Sequence, residues 1–400
     1  MLCLPSAKLR VRDTMRWFAG VSFEASASLP QIPFLMNTAA AKNLSDQVAY
    51  FAQFRQRAVT LKQLFDFGLD SSIENLLRGA RFLHKELPVR LAHRIRELDS
   101  LPFGLSEMPS VVVVKQMYVE SFRDLVELPC PETFQDEERF TEVIENIKQR
   151  HNNVVSIMAR GIQELRQALG ADELNPEIRQ FLDRFYMSRV GIRMLIGQHV
   201  AMHEGSRPGY AGLICEKCSP AAVVEEAIGD AQNLCLLHYT VAPEVGVFGK
   251  IDLAFTYVPS HLHHMLFELI KNSMRAVVEF HGPDCPNLPM IRVVVAEGHE
   301  DLTIKVSDEG GGIPRSGISR IWTYLYTTGD SSRLTPSSLY HSDFQAPMAG
   351  LGYGLPISRL YARYFGGDLQ VISMEGYGTD AYLHLKRLAT TEEALPRRLH

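Results

Sequence analysis

The chain has 400 residues, with 41 Lys and Arg against 46 Asp and Glu, for a formal net charge of -5. That balance excludes retention on nucleic acid by bulk positive charge. No apolar run approaches the ~18 residues that cross a bilayer, and Val111–Val114 is far too short. With 46% hydrophobic and 22% charged residues the composition is that of an ordinary globular protein. At roughly 150 residues per domain, the length suggests two domains.

Residues 1–35 read differently from the rest. Lys8, Arg10, Arg12 and Arg16 stand among Ser6, Ser22, Ser26 and Ser28, with Asp13 and Glu24 the only acids. This is the pattern of a mitochondrial presequence, and equally of a disordered leader. From about Leu35 to Glu204 apolar residues recur at three- and four-residue spacing. Helices are expected over 43–66, 73–98, 110–128, 140–169 and 176–203, separated by Gly68, Pro102 with Gly104, Pro129 with Pro131, and Gly170. Pro88 falls inside the second and should kink or split it. Long amphipathic helices with short connections fit an up-and-down bundle.

Six cysteines, Cys3, Cys130, Cys215, Cys218, Cys235 and Cys285, are too sparse for a disulfide scaffold and suit a reducing compartment. Cys215 and Cys218 have metal spacing, but no second such pair exists. Cys235 and His238 could complete a tetrahedral set, although ordinary thiols are the weightier reading.

After Gly205 the period changes. Strands are expected over 291–297 and 302–306, joined by a turn at Gly298, and over 369–374 and 380–385, joined through Gly376-Tyr377-Gly378. Leu302, Ile304 and Val306 alternate with polar neighbours, the period of a half-buried strand. Helices at 261–280 and 355–365 lie between the pairs, so the second half is α+β, a sheet with helices on one face. Residues 329–350 are polar and aperiodic, which in a compact domain marks a functional lid or disorder.

Four segments carry chemistry. His264, Glu268, Asn272 and Arg275 are spaced four, four and three residues apart, which places them on one helix face. Lys271 lies beside Glu268. Leu262, Met265, Leu266, Leu269 and Val277 form the core side, so by itself the polar stripe reads as a solvated surface. Asp308-Glu309-Gly310-Gly311-Gly312 stands at a strand end, with a carboxylate beside a glycine turn. Gly350-Leu351-Gly352-Tyr353-Gly354-Leu355-Pro356 opens a helix, where backbone N–H groups and the helix dipole suit phosphate. Gly378-Thr379 places a hydroxyl before the last strand. The array lacks the third glycine of the dinucleotide fingerprint, and neither a P-loop nor the H-R-D and D-F-G pair of protein kinases is present.

In this order, the four segments resemble the Bergerat, or GHKL, ATP-binding fold shared by gyrase, MutL-type repair proteins, a class of heat-shock chaperone and the histidine kinases. The resemblance implies that Asn272 holds Mg2+ and Asp308 accepts the adenine amino group. Gly350, Gly352, Gly354 and Leu355 would form the phosphate loop, with Thr379 beside adenine. Longer segments narrow it. Phe267-Glu-Leu-Ile-Lys-Asn-Ser-Met-Arg-Ala276, Gly350-Leu-Gly-Tyr-Gly-Leu-Pro-Ile-Ser-Arg-Leu-Tyr-Ala362, Ser373-Met-Glu-Gly-Tyr-Gly-Thr-Asp380, Phe82-Leu-His-Lys-Glu-Leu-Pro-Val-Arg90 and 181–196 are similar to the mitochondrial dehydrogenase kinases. The wording is closer to the pyruvate dehydrogenase kinases than to the branched-chain ketoacid dehydrogenase kinase.

The likeness spans about Leu35 to Leu388. It implies a leader over 1–35, a regulatory and docking bundle over 36–210, an ATP-binding kinase domain over 211–390 and a tail over 391–400. It further implies a matrix protein-serine kinase that uses ATP and Mg2+ to phosphorylate the decarboxylase component of the pyruvate dehydrogenase complex. Glu268 would be the general base, tuned by His264, with Lys271 near the reacting phosphate, Arg275 in support, and Thr327 and Thr328 near the nucleotide. His151 and Arg189 would line an anion pocket where pyruvate inhibits. Family members bind the lipoyl domain of the acetyltransferase core and form homodimers. Some carry an Asp-Trp pair near the C-terminus, which Lys386 to His400 lack. Rival readings are a protein-histidine kinase, with His84 or His151 as acceptor, and an ATP-gated conformational module.

Overall fold

A computed structural model describes residues 44–170, 175–205, 207–326, 352–387 and 389–396. The basic leader at 1–35, Thr327, Thr328 and the whole polar segment 329–350, Gly350 included, therefore lie outside the described residues. The chain divides into two compact units, Met1–Gln47 and Val48–His400. Of the first, the described residues 44–47 begin a helix at Leu44–Phe51 (α1).

The second unit continues with Leu61–Gly68 (α2), Ile73–Asp99 (α3), Pro109–Glu127 (α4), Phe134–Arg150 (α5), Val154–Leu169 (α6) and Pro176–His203 (α7). Two of the expected helices are each broken in two. The 43–66 segment divides because Thr60 caps α2 with a capping box to Gln63, which starts a new helix. The 140–169 segment divides at His151–Asn153, and α5 begins earlier than expected, at the Thr133–Asp136 capping box. Pro88 behaves in the opposite way: α3 runs unbroken through it. Leu83, Leu87, Leu91 and Ile95 are all buried there, and α3 packs against α4 and α7. That packing outweighs the ~3 kcal/mol that an interior proline costs.

Beyond α7, Tyr210–Ala211 (β1) and Ile214–Cys218 (β2) form a small sheet with Phe255–Tyr257 (β4). Pro220–Tyr239 (α8) and Val245–Gly249 (β3) precede that last strand. Neither α8 nor β3 was expected from periodicity, although Ser219 as N-cap and Pro220 at the first turn are legible start signals for the helix. Pro259–His281 (α9) is followed by the hairpin Ile291–Glu297 (β5) and Asp301–Asp308 (β6), whose turn is closed by Gly298 N donating to Asp301 O. Gly354–Tyr364 (α10) leads to the second hairpin, Asp368–Met374 (β7) and Gly378–Lys386 (β8). The five-stranded sheet has the order β3-β5-β6-β8-β7, parallel between β3 and β5 and antiparallel elsewhere. The chain is thus α+β, with a helical first half and a mixed sheet with α8, α9 and α10 packed on it in the second.

Register decides what faces those helices. Leu302, Ile304 and Val306 pair with Leu385, Leu383 and Ala381, all buried. Asp308 is the next residue in the same phase and pairs with Thr379. The period of two therefore carries a carboxylate onto the core face at the strand end. Among the described residues, no helix is long and apolar enough to cross a membrane.

Candidate active site

Helix α9 packs Leu262, Met265, Leu266, Leu269 and Val277 into the core, as its spacing requires. Its polar stripe is not a solvated surface, however. Glu268 is 7% exposed and Lys271 is 1% exposed. Lys271 Nζ donates to Glu268 Oε1 at 2.7 Å. Burial by itself raises a carboxyl, but the Lys271 ammonium, His264 and Arg275 outweigh it and hold Glu268 below the usual carboxylate value. His264, one turn back, packs its ring on Tyr361 with centroids 5.0 Å apart.

Asp308 is anchored from two directions. The Ser273 hydroxyl, on the α9 face next to Asn272, donates to Oδ2 at 2.7 Å, and Gly310 N donates to Oδ1 at 3.0 Å. Burial nonetheless raises its pKa above the ordinary aspartate value, against the pull of Ser273 and the Gly310 and Thr379 amides. The glycine after it has a steric role: Gly312 lies at φ 70° and an added Cβ would strike the Met374 carbonyl. Thr379 Oγ1 lies 2.9 Å from Ser373 Oγ.

These groups surround one cavity of ≈ 400 Å³ between α9, the β6 end, the start of α10 and β8. Glu268, Asn272, Arg275, Asp308, Gly352, Gly354, Leu355 and Thr379 all line it. Lys271 and His264 do not; Lys271 reaches the site through Glu268. The start of α10 comes so close to α9 that a Cβ on Gly354 would collide with Glu268 Oε2. A nucleotide-sized cavity with carboxylates at two places, a helix N-terminus between them and apolar walls can hold an adenine at one end and phosphates at the other.

Several lining residues carry no signal in the sequence. Ile313, Pro314, Ile321, Tyr326 and Val371 supply the apolar walls. Tyr324 Oη donates to Asp183 of α7 at 2.6 Å, and its ring packs on Tyr186 and Tyr353 with centroids 5.5 and 5.1 Å apart. This buried tyrosine cluster fixes the segment before the phosphate turn onto the helical half. On α9, Ala276 and Glu279, four residues beyond Asn272 and Arg275, also line the cavity and could have been found by helix phase.

The second predicted site lies in the bundle. His151 and Arg189 are 3% and 5% exposed. Arg189 donates to the His151 and Asn152 carbonyls at 3.0 and 3.2 Å, and Arg193 to Asn152 Oδ1 at 3.0 Å. The His151 ring sits 4.5 Å from that of Tyr118 and its Nε2 is 3.0 Å from Ser121 Oγ. Tyr118 Oη and Ser188 Oγ are buried without a hydrogen-bond partner. The five described cysteines, by contrast, are free thiols, and Cys215, Cys218, Cys235 and His238 are not brought together as metal ligands among the described residues.

Fold and site define a nucleotide-binding kinase of the GHKL class, and the comparisons agree. Residues 257–389 match the family of histidine kinase-, DNA gyrase B- and HSP90-like ATPases, and residues 58–215 match that of the mitochondrial branched-chain alpha-ketoacid dehydrogenase kinase. The chain is 51% identical over 356 residues to a mitochondrial [pyruvate dehydrogenase (acetyl-transferring)] kinase of Arabidopsis thaliana, covering 89% of this chain and 97% of the relative. It is 44% identical to isozyme 3 of that kinase from Mus musculus, over 88% of this chain and 86% of the relative. It is 38% identical to the kinase from Schizosaccharomyces pombe, over 88% and 99%. The chain belongs to the mitochondrial pyruvate dehydrogenase (acetyl-transferring) kinase family.

Proposed function

We propose that this chain transfers the γ-phosphoryl group of ATP to a serine of the decarboxylase component of the pyruvate dehydrogenase complex, in the mitochondrial matrix. The observation that carries the reading is the single cavity lined by Glu268, Asn272, Asp308, Thr379, Gly352 and Gly354, in a chain related to those kinases over most of its length.

Asp308, held by the Ser273 hydroxyl and the Gly310 amide, accepts the adenine amino group, and Thr379 lies beside the base. The open N–H groups at the start of α10 take the phosphates. The Asn272 side-chain oxygen would hold magnesium, which would supply positive charge to offset that on the phosphates. Glu268 takes the proton of the incoming serine hydroxyl as its Oγ attacks the γ-phosphorus, and the bond to the β-phosphate oxygen breaks to leave ADP. Lys271 and His264 keep Glu268 ionised and in position. Arg275 supports the phosphate end. Gly350, Thr327 and Thr328 belong to the same site on the family's pattern.

Residues 36–210 serve as the regulatory and docking domain and 211–390 as the kinase domain, with 391–400 as tail. His151, Arg189, Arg193, Tyr118 and Ser188 form the anion site of the regulatory domain: a largely buried basic cluster with two unpartnered hydroxyls suits a small carboxylate such as pyruvate. Self-association uses the edge strand β7, whose Ile372 and Met374 are 61% and 67% exposed. The lipoyl domain of the acetyltransferase core is the docking partner.

The test is incubation with labelled ATP, magnesium and purified pyruvate dehydrogenase complex, with the branched-chain complex in parallel. Acid-stable label on serine of the first complex is expected. Label on the branched-chain complex alone, or acid-labile label retained on the kinase itself, overturns the reading.

A further inference from the structure

One polar cluster in the helical half has no part in the nucleotide site or the basic pocket. Glu137 comes from α5, and His199 and His203 come from α7, where four-residue spacing aligns the two imidazoles on one strip. Their ligand atoms all lie within 4.8 Å of one another. Glu137 is fully buried, His199 is 3% exposed, and the His203 side chain is 24% exposed at the edge of the cluster.

The hydrogen bonding is lopsided. Glu137 Oε1 lies 2.9 Å from His199 Nε2, 2.9 Å from His203 Nε2 and 3.1 Å from Thr141 Oγ1. The Thr141 hydroxyl is itself 3.0 Å from His199 Nε2. Glu137 Oε2, equally buried, has no hydrogen-bond partner. Three groups crowd one oxygen while its twin stands bare, a poor way to bury a carboxylate whose four lone-pair sites all lose water.

We propose that Glu137, His199 and His203 bind a zinc-class divalent cation that bridges α5 and α7. Two imidazole nitrogens and one carboxylate oxygen are the donor set of Zn2+ and Co2+, whereas Mg2+ and Ca2+ take oxygen ligands. Three protein ligands leave one position open, and the partly exposed side of His203 gives that position solvent and the ion an entry path. On binding, the two Nε2 atoms exchange their hydrogen bonds to Glu137 for bonds to the cation. Any protons they carry leave to solvent, and the carboxylate becomes a ligand. The ion then ties together the helix that ends at the His151 turn and the helix that carries Arg189, holding the walls of the basic pocket from one end.

The test uses the untagged full chain, stripped with a chelator, dialysed and free of nucleotide. Titration with Co2+ is expected to produce a visible ligand-field band that Zn2+ abolishes and excess Mg2+ leaves in place. Zn2+ should also raise the thermal midpoint, because it binds the folded chain. His203→Phe and Glu137→Gln should each weaken Co2+ binding by about tenfold or more and remove the band. Far-UV circular dichroism reports whether each variant folds, and Glu137→Gln, which keeps hydrogen bonds to both imidazoles, decides the matter if His203→Phe does not. Absence of the band in the unaltered chain overturns the proposal. So does a band of full intensity in either folded variant.

Discussion

Glu268 shows how a helix face that spacing alone would assign to solvent is explained by burial. A carboxylate taken out of water would protonate, yet the 2.7 Å contact from Lys271 keeps it charged. In the proposed reaction this carboxylate, held below its ordinary pKa, would receive the serine proton as the phosphoryl group arrives. Glu268→Gln should lower single-turnover phosphorylation ~10²–10⁴-fold while nucleotide binding, followed by calorimetry, is retained. Asn272→Ala and Asp308→Ala should instead lose nucleotide binding in the same calorimeter. Undiminished turnover in the Glu268 variant would remove its role as base. His151 makes a second case. Burial, with Arg189, Arg150 and Arg193 nearby, pushes its pKa down to about 4 from 6.5. Between those values the unfolded chain takes up a proton that the folded chain refuses. Its contribution to stability is therefore complete above pH 6.5 and falls as pH drops toward 4, by up to roughly 3 kcal/mol. Urea unfolding of His151→Gln at about pH 7 and about pH 5 should show a shallower acid loss than the unaltered chain. An identical slope would mean that His151 is protonated in the fold.

At the scale of elements, the close approach of α10 to α9 sets the catalytic geometry. Gly354 both opens α10 and touches the Glu268 carboxylate, so Gly354→Ala must displace one of them. Alanine is otherwise the better helix residue by ~1 kcal/mol, so the thermal midpoint should barely change. Phosphorylation should nevertheless fall about 10²-fold, as a misplacement near 1 Å can cause. A variant that is fully active would show that Glu268 need not sit where it does. The hairpins β5–β6 and β7–β8 were legible because alternation and glycine turns are local signals. Three capped starts, at Thr60, Thr133 and Ser219, were equally local but were hidden inside or between longer apolar patterns. Pro88 was legible as a breaker and overruled by packing, which no local rule reports.

At the scale of the molecule, the C-terminal tail holds the two halves together. Arg90 of α3, 1% exposed, bonds Glu86 at 2.9 Å and Glu393 at 2.6 Å, and Tyr364 at the end of α10 donates to the same Glu393. The strap is extended by Glu393 N to Val59 O at 2.8 Å and Ala394 N to Tyr364 O at 2.9 Å. Since α10 begins at the phosphate turn, this buried network ties the nucleotide site to the first half through residues more than 300 positions apart, the separation of Arg90 and Glu393 being 303. Glu393→Ala leaves a buried guanidinium short of its partner and should cost about 3–5 kcal/mol in urea unfolding. Adding Arg90→Met should restore part of that loss, because the charge left bare is then gone. Additive losses would show that the pair is not coupled.

The sequence by itself determined the class of fold, the order of the four nucleotide motifs and the family, because periodicity, glycine turns and motif wording are properties of short stretches of chain. It also placed Glu268, Asn272 and Arg275 on one face, since 3.6 residues per turn is enough for that. Only the tertiary structure decided that this face is buried against α10, that Asp308 falls in phase with the core, and that Glu137 meets His199 and His203. It alone decided that residue 393 closes on residue 90. Each of these depends on which surfaces pack together, and the free energy that selects the packing is summed over the whole chain rather than written at any one position.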